Sequence, residues 1–338
     1  MRVSRRAIAV TVALAVLGLI GAVAVGQSLR WALSPALASA PPVIFDVRPG
    51  ASLGEVARAL ESRGLIRSAV ALKLLARYRE LDGALQVGEY EISAELAPRE
   101  ILTRIVEGRV VVYEVVIPEG LTASQIALRV EAAGLASAAD FSAFASDPES
   151  AGSLGIEGSN LEGYLFPETY RLPRGLGARE VAKVFVDQFF QVWREIEPEA
   201  QSQKLSMLEV VTLASIVEKE TAAPEERPLI ASVFRNRLKR GMRLETDPTV
   251  IYGIPDFDGN LRRRDLENAE NPYNTYQIPG LPPGPIANPG ADALRAVVNP
   301  AKSEYLFFVS RNDGTHFFSK TYAEHERAVD RYQRKRSR

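Results

Sequence analysis

The stretch SMLEVVTLASIVEKETA (206–222) is apolar nearly all round up to Val217, and Glu218 follows at once. A helix of that composition is buried rather than amphipathic. Glu218 comes four residues after Ala214 and seven after Val211, so it continues a face that is otherwise apolar. A carboxyl held there is partly desolvated, which raises its pKa toward the range of a useful general acid. The same residue can also open the polar C-terminal end of the helix, together with Lys219 and Glu220, and periodicity does not separate these readings. Glu220 lies about 200° further round the helix and need not share a site with Glu218.

A second source of chemistry is the span 242–290, which contains DPTVIYG, NPYNTY, GLPPGPI and ANPG. This density of Gly, Pro and Asn excludes long regular elements. Irregular loops on a rigid frame commonly form binding clefts. Asn amides both donate and accept, as sugar hydroxyls and acetamido groups require, and tyrosine rings can stack on pyranoses. Tyr252, Asn274, Tyr276 and Asn288 are therefore binding candidates, although a long loop pinned by proline has the same composition. In LEGYLFPETY (161–170), Glu162 is a further candidate, and Glu168 reads as a surface charge. Arg262-Arg263-Arg264 reads as a solvated face, and His316 as a surface residue of a hairpin.

Composition excludes other chemistries. The chain has no Cys and two His, so disulfides, a Cys nucleophile and a three-His zinc site are out of reach. No metal or cofactor is expected. There is no P-loop, dinucleotide fingerprint, HExxH or GxSxG. A formal net charge of −1 gives no field for nucleic acid.

Several elements must position these residues. MRVSRR precedes an uncharged run, 7–26, long enough to cross a bilayer core. The arginines predict a cytoplasmic N-terminus, 1–6, with the body of the protein outside a cytoplasmic (inner) membrane. A cleaved leader, with ALASA (36–40) as its processing site, would export the same body. Residues 27–42 read as a linker that lifts the domain off the bilayer. An internal repeat follows. VRPGASLGEVARALESRGL (47–65) aligns on IPEGLTASQIALRVEAAGL (117–135), and the match resumes where Tyr90 meets Tyr170, about ten residues further offset. Each copy reads as a strand, a helix capped by Ser52 or Thr122, a second helix (69–80; 138–145), a strand, and a third helix (98–107; 177–195). Beyond them come helices at 206–222 and 224–240, a short helix at 291–298, a hairpin across 304–319, and a last helix at 321–333 with a basic end.

At this point the sequence resembles the YceG-like family. The resemblance rests on LEGYLFPETY, LASIVEKET (213–221), ASVFRNRL (231–238), GMRLETDPTVIYG (241–253), NPYNTY, GLPPGPIANPG and NPAKSEYLFFVSRNDGTHFF (299–318), in that order. It implies an α+β fold: a single membrane helix, a LysM-like α+β module over 43–109, and a larger α+β catalytic domain over 110–338, whose first part (110–195) repeats the module. It implies a lytic transglycosylase acting on peptidoglycan glycan strands. Such an enzyme cuts the β-1,4 bond between MurNAc and GlcNAc and leaves a 1,6-anhydro end. It names the first Glu of VEKE, Glu218, as catalytic, and glycan-polymerising synthases as partners. A hydrolytic muramidase and a non-catalytic glycan-binding scaffold are the alternatives.

Overall fold

A computed structural model describes residues 5–221 and 223–334. Most of the expected cytoplasmic tail, residue 222 of the helix expected over 206–222, and residues 335–338 of the basic end lie outside the described residues. The chain forms two compact units, Met1–Val112 and Tyr113–Arg338.

The first unit opens with helix α1 (Arg5–Ala32). Within it, Thr11–Ala32 is long and apolar enough to cross a membrane. The helix passes the predicted end at 26 because no breaker follows Gly26 until Pro35. Next come β1 (Val43–Val47), α2 (Leu53–Ser62), α3 (Ala69–Tyr78), β2 (Gly88–Ile92) and α4 (Pro98–Val106). β1 and β2 pair antiparallel, from Val43 opposite Ile92 to Val47 opposite Gly88. Phe45, Leu60, Leu72, Tyr90, Ile101 and Ile105 fill the core between the two strands and the helices.

The second unit begins with the same order: β3 (Tyr113–Val116), α5 (Ala123–Ala132), α6 (Ala138–Ser146), a short inserted α7 (Pro148–Ser153), β4 (Thr169–Leu172) and α8 (Ala178–Ser202). Matching side chains make matching bonds in the two copies. Ser52 with Glu55, and Thr122 with Gln125, close capping boxes on α2 and α5. Glu61 accepts from the N–H of Ala69 at 3.1 Å, and Glu131 from that of Ala138 at 3.0 Å, so each caps the following helix. The hydroxyl of Tyr90 donates to the carbonyl of Gln86, and that of Tyr170 to the carbonyl of Phe166, each four residues back. The additional residues of the second copy form α7 and the LEGYLFPE segment. α8 runs beyond the predicted end at 195 and through Pro198. Its inward face, including Phe185, Phe189, Trp193, Ile196 and Ala200, continues unbroken, and that burial offsets the hydrogen bond lost at proline.

The rest of the unit comprises α9 (Met207–Glu220), α10 (Arg227–Lys239), α11 (Asp247–Tyr252), α12 (Arg263–Leu266), α13 (Ala291–Val298), the hairpin β5 (Phe307–Ser310) and β6 (His316–Ser319), and α14 (Tyr322–Val329). Every residue of α9 from Val210 to Val217 is buried, because α8, α10 and α13 all pack on it. α9 is thus a central helix whose C-terminal turn emerges from the core. Between α10 and α13 the chain is irregular apart from α11 and α12, as its Gly, Pro and Asn content requires.

Candidate active site

The last turn of α9 carries two carboxyls into different surroundings. Glu218 points inward, with its side chain 6% exposed. Its Oε1 accepts from Nη2 of Arg227 at 2.8 Å, and its Oε2 from the N–H of Gly290 at 3.0 Å. Gly290 is the N-cap of α13, the end of a helix that favours an anion. Nη2 of Arg227 also donates to Oε2 of Glu119 at 3.0 Å. A Cβ on Gly290 would lie 1.8 Å from Oε1 of Glu119, so any other residue there would displace the Glu119 carboxyl. Lys219 donates to the carbonyl of Gly120 at 3.2 Å, and the N–H of Gly120 donates to the carbonyl of Asn288 at 2.9 Å. Glu218 therefore fastens α9 to α10 and to the start of α13, and Lys219 fastens it to the turn at 118–120. The pairing of Glu218 with Arg227 offsets the cost of burying both charges. Burial, reinforced by the charge of Glu218, pushes the Glu119 carboxyl above its usual range.

Glu220 faces the other way. It is partly exposed and lines a cleft of about 480 Å³ with Thr246, Asp247, Tyr276, Phe308 and His316. Burial pushes its carboxyl up to about 7. The hydrogen bond from the Thr246 hydroxyl opposes the rise, the charge of Asp247 adds to it, and His316 opposes it. The Tyr276 hydroxyl donates to Oδ1 of Asp247 at 2.8 Å. His316, expected on the surface, is mostly buried, and its Nδ1 lies 2.6 Å from Oε2 of Glu226. The hairpin folds back onto the residues just ahead of α10. Arg237 fixes this arrangement from beneath: Nε donates to the carbonyl of Leu306 at 2.7 Å, and Nη1 to that of Leu244 at 2.9 Å.

Other candidates are placed differently from their expected role. Glu162, Tyr252 and Asn288 form one network away from this cleft. The Glu162 carboxyl accepts from the N–H of Ala123 at 3.0 Å, from Nδ2 of Asn288 at 2.8 Å and from the Tyr252 hydroxyl at 3.2 Å. Burial pushes Glu162 up to about 7 against these three bonds. Oδ1 of Asn288 accepts from the N–H of Leu165 at 2.8 Å, and Nδ2 also donates to the carbonyl of Leu121 at 2.9 Å. Nδ2 of Asn274 donates to the carbonyls of Asp265, Leu266 and Asn268, and its Oδ1 accepts from the N–H of Tyr276. Asn274 and Asn288 are fully buried. Glu162, Asn274 and Asn288, expected to touch a sugar, instead have their polar atoms hydrogen-bonded inside the protein. Tyr252 stands edge-on to Tyr273 at 4.8 Å, with its hydroxyl committed to Glu162. Of the five binding candidates, Tyr276 lines the cleft. Glu168 is exposed, and Arg262 and Arg263 are paired with Asp258 and Glu267 at the surface, as read from sequence.

Sequence reasoning missed Glu119, Arg227, Thr246 and Asp247, and gave Glu220 no role. Arg227 follows Glu218 by nine residues across a break in the helix, so no periodic signal links them. Asp247 was visible as the acid ahead of a proline at the start of a short helix, and reads there as turn chemistry. The separation of Glu218 and Glu220 did follow from helical geometry.

The family model described as "YceG-like family" matches residues 45–331. A protein of Bacillus subtilis (strain 168) named endolytic murein transglycosylase is 30% identical over 306 residues, covering 86% of this chain and 84% of the relative. A protein of the same name from Streptococcus pneumoniae serotype 2 (strain D39 / NCTC 7466) is 29% identical over 321 residues; the match covers 85% of this chain and 58% of that longer relative. The crystal structure of a yceG-like protein from Listeria monocytogenes superposes with a TM-score of 0.59 at 34% identity, covering 86% of this chain and 100% of that one.

Proposed function

The chain belongs to the YceG-like family, and from that premise we propose that it is an endolytic murein transglycosylase with Glu220 as its proton-transfer residue. The observation that carries the assignment is the position of Glu220 on the wall of a cleft, beside Thr246, Asp247 and Tyr276, where burial also pushes its carboxyl up to about 7. A general acid works best when its pKa lies near the working pH. The names of the relatives supply the reaction class and peptidoglycan as the substrate.

The chemistry needs one proton carrier. Glu220 donates its proton to the oxygen of the β-1,4 bond between MurNAc and GlcNAc as that bond breaks. The C6 hydroxyl of the MurNAc attacks its own C1, and the Glu220 carboxylate accepts the C6 proton as the 1,6-anhydro ring closes. The proton returns to Glu220 and no water is consumed. A two-carboxylate glycosidase instead uses its second acid as base or nucleophile. Glu245 and Asp247 are the other carboxylates of the cleft, and Glu245 is paired with Arg237 at 3.1 Å. The hydrogen bond from Tyr276 to Asp247 suits a fixed charge that helps keep Glu220 protonated. Tyr276 and Phe308 contribute aromatic surface to the lining of the cleft. Glu218 serves beside the chemistry as the buried partner of Arg227. Anchorage through α1 would hold the cleft near nascent strands outside the membrane, where glycan-polymerising synthases work.

The direct test digests uncrosslinked glycan with the protein and its Glu220→Gln and Glu218→Gln variants, and weighs the products. Anhydro ends from the parent, and a loss of roughly 10²–10⁴-fold confined to Glu220→Gln among folded proteins, support the reading. Reducing ends one water heavier would show hydrolysis.

A further inference from the structure

The segment after α1 is bound to the first unit along its length. The guanidinium of Arg67 lies over the ring of Trp31, in the last turn of α1, at 4.7 Å, and its Nε donates to the carbonyl of Pro35 at 3.0 Å. The N–H of Leu37 donates to the carbonyl of Ala94 at 3.1 Å. The N–H of Ala40 donates to Oε1 of Glu95 at 2.7 Å, and Oγ of Ser93 donates to the carbonyl of Ala40 at 2.8 Å. Ala36 and Ala40 pack against the core. The linker expected to lift the domain off a bilayer is instead part of the domain. If α1 spans the membrane, the first unit stands at the membrane surface.

α3 begins two residues after Arg67. Its outward face carries Val70 (61% exposed), Leu74 (52%) and Tyr78 (88%), spaced four residues apart in one stripe. Lys73 and Arg77 lie beside that stripe. The internal repeat provides a control for what the fold itself requires. Glu61 caps Ala69 as Glu131 caps Ala138, so α3 and α6 are equivalent. Their inward positions match: Leu72 with Phe141 and Ala76 with Ala145, all buried. Their outward positions do not. Val70, Lys73, Leu74, Arg77 and Tyr78 correspond to Ala139, Ser142, Ala143, Ser146 and Asp147. The fold therefore tolerates a small, polar outer face, yet the copy fastened to α1 carries an apolar stripe flanked by cations and ending in tyrosine. That composition suits the boundary between acyl chains and anionic head groups.

We propose that the outer face of α3 rests on the same lipid surface that α1 crosses, with Val70, Leu74 and Tyr78 at the acyl boundary and Lys73 and Arg77 on anionic head groups. The inference rests on the reading of α1 as a membrane span. The chain has no cysteine, so single cysteines can carry an environment-sensitive fluorophore in the full-length protein. Leu74→Cys, Ala143→Cys and Val23→Cys, in vesicles of phosphatidylcholine with phosphatidylglycerol, are exposed to nitroxide-labelled lipid. The proposal expects loss of fluorescence at positions 23 and 74 and little at 143, with the loss at 74 reduced by Lys73→Glu with Arg77→Glu. A label at 74 quenched no more than one at 143, while 23 is quenched, overturns the proposal and leaves the anchor intact. An unquenched label at 23 overturns the anchor reading, and the proposal with it.

Discussion

Two residues, and about 200° of helical turn, separate Glu218 from Glu220, and their neighbours give them different work. Arg227 is 9% exposed and its Nε already lacks a partner. Glu218→Gln should therefore destabilise the protein by roughly 2–4 kcal/mol, read by denaturant unfolding, because it leaves much of a buried cation's charge uncompensated. An unchanged midpoint would count against the role assigned to Glu218. Glu220 behaves in the opposite sense. Its folded-state pKa is raised from 4.5 to about 7, so the folded protein binds this proton more tightly than the unfolded chain. Stability from this group is fully present below about pH 4.5, falls as pH rises, and levels off above about 7. Glu220→Gln removes the penalty. It should match the parent's melting temperature near pH 4 and exceed it near pH 8 by an amount equivalent to about 1–3 kcal/mol; equal melting temperatures at both pH values would contradict the shift. Asp247→Asn removes a charge that helps keep Glu220 protonated. The alkaline limb of kcat/KM should then move to lower pH; a limb that stays in place would remove Asp247 from this role. The sequence pointed to the helix end proposed to carry the chemistry, through the contrast between its apolar run and its acids. The choice between the two acids was not legible there, because it depends on Arg227, Asp247 and the N-terminus of α13, which no spacing in the sequence brings to the helix.

At the scale of elements, local signals were reliable where the cause is local. The caps that Ser52 and Thr122 place on α2 and α5 are set within a few residues, and the structure has them as read. Helix ends shifted where tertiary burial prevailed, as at α8, which continues through Pro198. The long loop was correctly read as irregular, but the work of its asparagines was not. Buried loop backbone must satisfy its carbonyls, and Asn274 and Asn288 supply that bonding across 6 to 167 positions of sequence. Glu162→Ala would strand the N–H of Ala123 and one donor of Asn288, and should cost about 2–4 kcal/mol in stability. Its activity per folded molecule, measured below the melting transition, should stay close to the parent's. A variant of normal stability and lost activity would return Glu162 to the binding site.

At the scale of the whole molecule, a helix able to cross a membrane leads directly into the first of two units, and the second unit carries the cleft. The order of elements was legible because the chain states it twice, at 47–65 and 117–135. The packing of residues 33–40 onto the first unit was not, because Ser, Ala and Pro have the same composition whether tethering or docked. The central claim is that one protonated carboxyl, Glu220, cuts glycan without adding water. Mass analysis of glycan digested by the parent, Glu218→Gln and Glu220→Gln tests it most directly. The account predicts 1,6-anhydro ends from the parent and from folded Glu218→Gln, and almost none from a Glu220→Gln variant at least as stable as the parent. Products one water heavier, or a Glu220→Gln variant that cuts as fast as the parent, would contradict it.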